Sequence, residues 1–229
     1  MSQEKKQADE LDKMNAALSS SEQFIERHQK PILTCVLAVV IVVSAILGVR
    51  HFYVLPRESK AQAEMFKGEF YFEQDSFRLA LQGNGADFIG FQAIANQYGS
   101  TKAGNLANAY AGICLYNMEQ YEEAVSYLKK FSTDEPFVSP AIIGTIGDCY
   151  VNMDDFEKAV GYFEKAADKA DNDMLSPVYL KKAAVVYEKM GDKAKALKMY
   201  RKIQDNYSNP EAGPDVVEKY ILRDEVAEK

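Results

Sequence analysis

The chain writes one twelve-residue phrase three times: NMEQYEEAVSYL from Asn117, NMDDFEKAVGYF from Asn152 and KMGDKAKALKMY from Lys189. The intervals are 35 and 37 residues. Self-similarity at that period confines a chain to stacked supersecondary units, because one such unit cannot bury its apolar face alone. A different phrase precedes each copy: NLANAYAGICLY from Asn105, PAIIGTIGDCYV from Pro140 and PVYLKKAAVVYE from Pro177. The pairs read as helix-turn-helix units. Each first helix holds a small residue at one place (Gly112, Gly147, Ala184), and twelve positions on each second helix holds alanine (Ala124, Ala159, Ala196). Small residues on both partners let antiparallel helices approach closely. Tyr116, Tyr121 and Leu128, then Tyr150, Phe156 and Phe163, then Tyr187 and Tyr200 interleave around the crossing. Pro136 and Pro210 follow second helices and are expected to stop them.

This order of small, aromatic, alanine and proline positions resembles the tetratricopeptide repeat (TPR), whose unit is about 34 residues. Longer turns, TDEPFVSP around Pro136 and DKADNDMLSP before Pro177, absorb the extra length. The expected fold class is all-α, a TPR-type α-solenoid of helix-turn-helix repeats preceded by one transmembrane helix.

That helix is read from ILTCVLAVVIVVSAILGV, Ile32 to Val49, 18 residues without a charge. At about 1.5 Å per residue it covers the hydrocarbon thickness of a bilayer. A cleaved signal peptide is disfavoured: the leading 30 residues carry five Lys/Arg against six Asp/Glu, and the apolar run is long for cleavage. Leu33–Cys35 resembles a lipoprotein box only superficially, since the apolar run follows the cysteine. Arg27 and Lys30 on one flank nearly balance Arg50, Arg57 and Lys60 on the other, so charge does not set orientation. Phe52 and Tyr53 mark the interface, and Pro56 is expected to end or kink the helix.

The resulting organisation is a polar tail (1–30, cytoplasmic in the usual layout of such anchors, with weak periodicity at Leu11, Met14 and Leu18), a membrane helix with its interface (31–55), a diverged first helical repeat (57–99), three TPR-like repeats (100–212) and a C-terminal capping helix (213–229). Within the diverged repeat, one helix is expected from Lys60 to Leu81, broken by Gly83–Gly85, and a second from about Ala86 to Tyr98. Pro214 opens the cap, with Val216, Val217, Tyr220 and Ile221 as its apolar edge.

Chemistry is sparse. The net charge of −7, without a basic stripe, argues against a nucleic-acid surface. Cys35, Cys114 and Cys149 fit neither a disulfide framework nor a zinc set, and read as small buried hydrophobes. A Cys114–Cys149 bridge between neighbouring repeats is the alternative. His28 and His51 flank the apolar run, out of reach of either repeat thiol. No phosphate-binding glycine motif or HExxH occurs; QGNGAD lacks a preceding strand, and DNDM at Asp171 lacks the glycine and distal glutamate of a calcium loop. The chain is therefore read as a non-enzyme without cofactor or metal. What remains is the groove that first helices line. Leu106, Ala109, Ile113, Tyr116, Asp148, Val151, Lys181 and Val185 are its candidate residues. Only one is basic, so the groove suits an apolar or amphipathic polypeptide better than a doubly anionic terminus; the alternative is that several of these residues pack between repeats.

The stretches EQDSFRLALQGNG (Glu73–Gly85) and YGSTKAGNLANAYAGICLYNMEQYEEAV (Tyr98–Val125), with the single span and the repeats, resemble the YfgM-like family of bacterial envelope proteins. The resemblance implies an inner-membrane anchor, a periplasmic repeat domain, and partners among SecYEG translocon subunits, periplasmic chaperones or envelope client proteins. The other reading is a structural subunit of an outer-membrane or cell-wall assembly machine.

Overall fold

The computed structural model describes residues 28–31, 33–208 and 214–227, and every element among them is helical. Helix α1 (residues 28–49) passes into a π-helical turn, Arg50–Val54. It is followed by α2 (Leu55–Glu73), α3 (Phe77–Gln82), α4 (Phe91–Gln97), α5 (Lys102–Asn117), α6 (Tyr121–Leu128), α7 (Val138–Asn152), α8 (Phe156–Ala170), α9 (Ser176–Lys189), α10 (Lys193–Asn206) and α11 (Pro214–Ala227). The chain divides between Pro56 and Arg57 into two compact units. The polar tail through Arg27, Ile32 and the residues around Pro210 lie outside the described residues.

In the first unit the large apolar side chains of α1, from Leu33 to Val49, are 47–66% exposed. An 18-residue window there has a mean hydropathy of 3.0 with none of it buried, long and apolar enough to cross a membrane. Pro56 does not stop the helix as expected. It stands inside a continuous helix, just after the π-helical turn, where the changed hydrogen-bond register accommodates its missing N–H.

The helix expected from Lys60 to Leu81 is two helices. Asp75 adopts the left-handed conformation (φ 54°), and the Asp75 and Ser76 N–H groups donate back to Phe72 and Tyr71 carbonyls, both at 3.0 Å, closing α2. Hydrophobic periodicity runs through this short turn because Phe72 and Phe77 still meet edge to face at 5.6 Å. The next helix begins at Phe91, not Ala86. Asn84 Oδ1 accepts from the Ala86, Asp87 and Phe88 N–H groups and holds them in a loop. Gly83 and Gly90 (φ 84° and 88°) close that loop's base, where a Cβ on either would strike the backbone of the loop's other arm within 2.5 Å.

Helix α2 also caps α5. Glu58 accepts from the Lys102 N–H (2.7 Å) and the Ala103 N–H (3.2 Å), and Thr101 Oγ1 accepts from Gly104 (2.9 Å). Three first-turn donors are satisfied, two of them by a carboxylate at the positive end of the helix. Phe91 stacks on Tyr110 at 4.8 Å and fills the space left by Gly68.

Helices α5/α6, α7/α8 and α9/α10 are the three repeats. Their internal turns are the same: Glu119, Asp154 and Gly191 all have positive φ (61°, 57°, 78°), and each next residue donates at 2.9 Å to a carbonyl of the first helix. The crossings follow the sequence pattern. A Cβ on Gly112 would lie 2.5 Å from Leu128, and one on Gly147 would lie 2.7 Å from Phe163. In the third repeat Ala184 and Tyr200 hold the same places, both fully buried, as are Ala124, Ala159 and Ala196. Burying a side chain the size of Phe163 or Tyr200 is worth about 2–3 kcal/mol.

Pro136 does not stop the second helix of repeat one, for α6 ends at Leu128. Asn105 on α5 instead clamps Ser132, donating to its carbonyl (2.8 Å) and accepting from its N–H (3.1 Å), which fixes an irregular path before α7. Pro210 lies outside the described residues. On α11, Val217 and Ile221 are buried and Tyr220 stacks on Tyr200 at 5.0 Å; the side chain of Val216 lies outside the described residues.

Candidate partner-binding groove

Repeat register places Ile113, Asp148 and Val185 at one position of successive first helices. The first helices present this face because their opposite face is committed to the crossings with α6, α8 and α10. Between α7 and α9 the face opens into a cleft of about 480 Å³. Four sequence-nominated residues line it: Asp148 and Val151 from α7, Lys181 and Val185 from α9. Val178, Lys182, Val186 and the ring of Phe163 complete it, and the sequence reading missed these. The recurring spacing could have found Val178, which is the register equivalent of Leu106.

Helix α5 carries the other four candidates, and none of them lines this cleft. Leu106 is 37% exposed, and Ile113 and Tyr116 are half-buried. Ala109 is only 4% exposed, which removes it as a contact residue. Its register equivalent, Gly144, is covered by the Tyr179 ring, so this position packs between repeats. In the third repeat the same position is Lys181, whose ammonium reaches out over Tyr220, 5.6 Å from the ring centre.

The cleft's charges are unequal. Lys182 Nζ donates to both Asp148 oxygens (2.9 and 2.8 Å) and bridges the cleft from α9 to α7. Lys181 has no carboxylate partner among the described residues. An apolar floor of valines with one uncompensated cation suits an amphipathic chain segment.

Burial pushes the thiols of Cys114 and Cys149 up to about 12, and both are free. Burial, then a hydrogen bond to Glu164 (2.7 Å), raises Tyr187; burial and Glu188 act likewise on Tyr200. Among the described residues no three His, Cys, Asp or Glu side chains gather closely enough to hold a metal ion.

Residues 110–136 and 180–210 match a tetratricopeptide-repeat family, and residues 141–168 match a second family of the same repeat. No curated protein matches the chain. Each matched segment overlaps one of the three helix pairs, so the protein carries tetratricopeptide repeats in an α-solenoid, an architecture that serves as a protein–protein interaction module.

Proposed function

We propose that the protein is a membrane-anchored TPR module of the bacterial cell envelope that holds polypeptide partners in the groove between α7 and α9. The observation that carries this reading is the convergence of Asp148, Val151, Lys181 and Val185 on one open, apolar cleft. The uncovered apolar face of α1 supports a membrane anchor. Resemblance to the YfgM-like family favours an inner-membrane location with the repeats in the periplasm. It also favours ancillary work beside the SecYEG translocon, with translocon subunits, periplasmic chaperones or envelope clients as partners. Tethering suits a weak groove, because confinement supplies effective concentrations on the order of millimolar.

The test places a photocrosslinking residue at Val185, and at exposed Lys198 on α10 as the control, in the full chain in intact cells. Adducts with Sec components or emerging envelope proteins from position 185 and not from 198 support the reading. Adducts of equal yield from both positions, or none from either, refute it. Protease protection of intact against permeabilised cells tests the orientation. The alternative, a structural subunit of an envelope assembly machine, requires a stoichiometric complex that survives purification in detergent.

A further inference from the structure

The second helices are unequal: α8 and α10 run 15 and 14 residues, but α6 only 8. By register Leu128 corresponds to Phe163, so α6 lacks the two turns that α8 continues to Ala170. In α8 those turns bury Ala166, Ala167 and Ala170, and the Ala167 carbonyl accepts from the hydroxyl of fully buried Ser176 (2.8 Å). At the preceding junction, between repeats one and two, the register equivalents are Ser132 and Ser139. The Ser132 carbonyl is taken by Asn105, and Ser139 is left lining a cavity of about 230 Å³.

That cavity is two-ended. Leu128, Ile142 and Ile146, all buried, make an apolar bottom. Lys129, Lys165 and Ser139 lie among its polar lining, with Ser132, Thr133 and Tyr162, and none of the lining residues is acidic. Lys129 is fixed by donating to the Tyr150 hydroxyl (3.0 Å) and lies 5.5 Å from the Tyr162 ring centre. Lys165 has no carboxylate partner among the described residues. A missing stretch of helix has thus left a mixed socket, apolar at Leu128, Ile142 and Ile146 and bordered by two cations and a hydroxyl donor.

We infer that this socket binds a small alkyl carboxylate, the chemistry shared by a free acyl acid and by a polypeptide C-terminus ending in a branched aliphatic residue. The alkyl group occupies the space that α8 and α10 fill with their own last turns. The carboxylate accepts from Ser139 and from the ammonium groups. The socket lies apart from the α7–α9 cleft, so its occupancy does not depend on the proposed function of that groove.

The test is methyl NMR of the full chain in a lipid nanodisc with isoleucines labelled. It uses 4-methylpentanoate, its amide, 3-methylbutylamine, and the tripeptide acetyl-Ser-Gly-Leu as free acid and as amide. The expected result is saturable shifts of the Ile142 and Ile146 methyl signals with the acids only. Stronger binding by the tripeptide acid identifies a C-terminus as the source; stronger binding by 4-methylpentanoate identifies a free acyl acid. Lys165→Glu and Ser139→Ala, at exposed and half-buried positions, weaken the acids about tenfold and severalfold. Equal shifts with the amides or the amine, indifference to Lys165→Glu, or no response to either acid overturns the assignment.

Discussion

Glu58 offers a strict test of how the repeat stack is held at its N-terminal end. It lies on α2, more than forty residues from the helix it caps, and accepts from the first two N–H groups of α5 at 2.7 and 3.2 Å. In Glu58→Ala the Lys102 N–H faces solvent and water replaces its partner. The Ala103 N–H is partly buried and loses a charged acceptor, which costs about 1.5 kcal/mol. Loss of the negative charge at the helix N-terminus adds about 0.5 kcal/mol. The sum, about 2 kcal/mol, corresponds to roughly a thirtyfold change in an opening equilibrium. A global melt is a poor readout, because solenoid repeats open semi-independently. Hydrogen exchange at Leu106–Tyr110 is the better one, since those amides are bonded within α5 and report its opening, not direct contact with Glu58. Glu58→Ala is expected to lower their protection about thirtyfold and leave α9 unchanged, with Glu58→Gln intermediate. Unchanged protection at Leu106–Tyr110 would show that the carboxylate decorates α5 without holding it.

Gly147→Ala places a methyl 2.7 Å from Phe163 and should destabilise repeat two by about 1–3 kcal/mol in chemical denaturation, with partial relief when Phe163→Leu is added. A double-mutant cycle on Asp148 and Lys182 should give a coupling of no more than about 1 kcal/mol, shrinking in high salt, since both side chains keep some solvent exposure. Cys114 and Cys149 should resist maleimide at pH 8 in the folded chain and react on unfolding. Because their folded pKa lies near 12 against an ordinary 9.0, the stability they confer is complete below pH 9 and is lost as pH rises toward 12; an alkaline melt that does not soften over that window in the wild type relative to a Cys114→Ala, Cys149→Ala variant contradicts this. Val178→Asp, at a cleft position 39% exposed, should leave the helical circular dichroism intact and abolish crosslinks from position 185.

The repeats were legible because their code is local. Small residues, aromatics and a left-handed turn recur at fixed offsets, and the crossings at Gly112, Gly147 and Ala184 fall where the pattern places them. Of the groove candidates, Asp148, Val151, Lys181 and Val185 meet in one cleft, and only Asp148 and Val185 share a register position. What could not be read depends on contacts between distant segments. Periodicity carries through Asp75 because a left-handed turn of two or three residues barely disturbs the apolar phase. The early end of α6 depends on Asn105 reaching Ser132, 27 residues away. Ala109 looked available because a small residue on a groove face gives no sign that its neighbour repeat covers it.

The charged residues mislead most, since on a helical wheel they resemble an ordinary solvated face. Asp134 pairs with Lys169, Asp148 with Lys182, Asp154 with Lys189, Asp168 with Lys202 and Glu188 with Arg223. In every pair the acid belongs to one repeat and the base to the next repeat or, for Arg223, to the helix α11 that follows the last one. A head-to-tail stack joins two different surfaces at each junction, so a fixed polarity of charge favours one register and penalises a slipped or reversed one. Each pair is exposed enough to be worth about 1 kcal/mol or less, so the ladder acts on register more than on total stability. Its consequence for binding is subtractive. With Asp148 neutralised by Lys182, the charge that the α7–α9 cleft can offer a partner is that of Lys181, and a mixed-charge surface becomes an apolar groove with a single cationic contact.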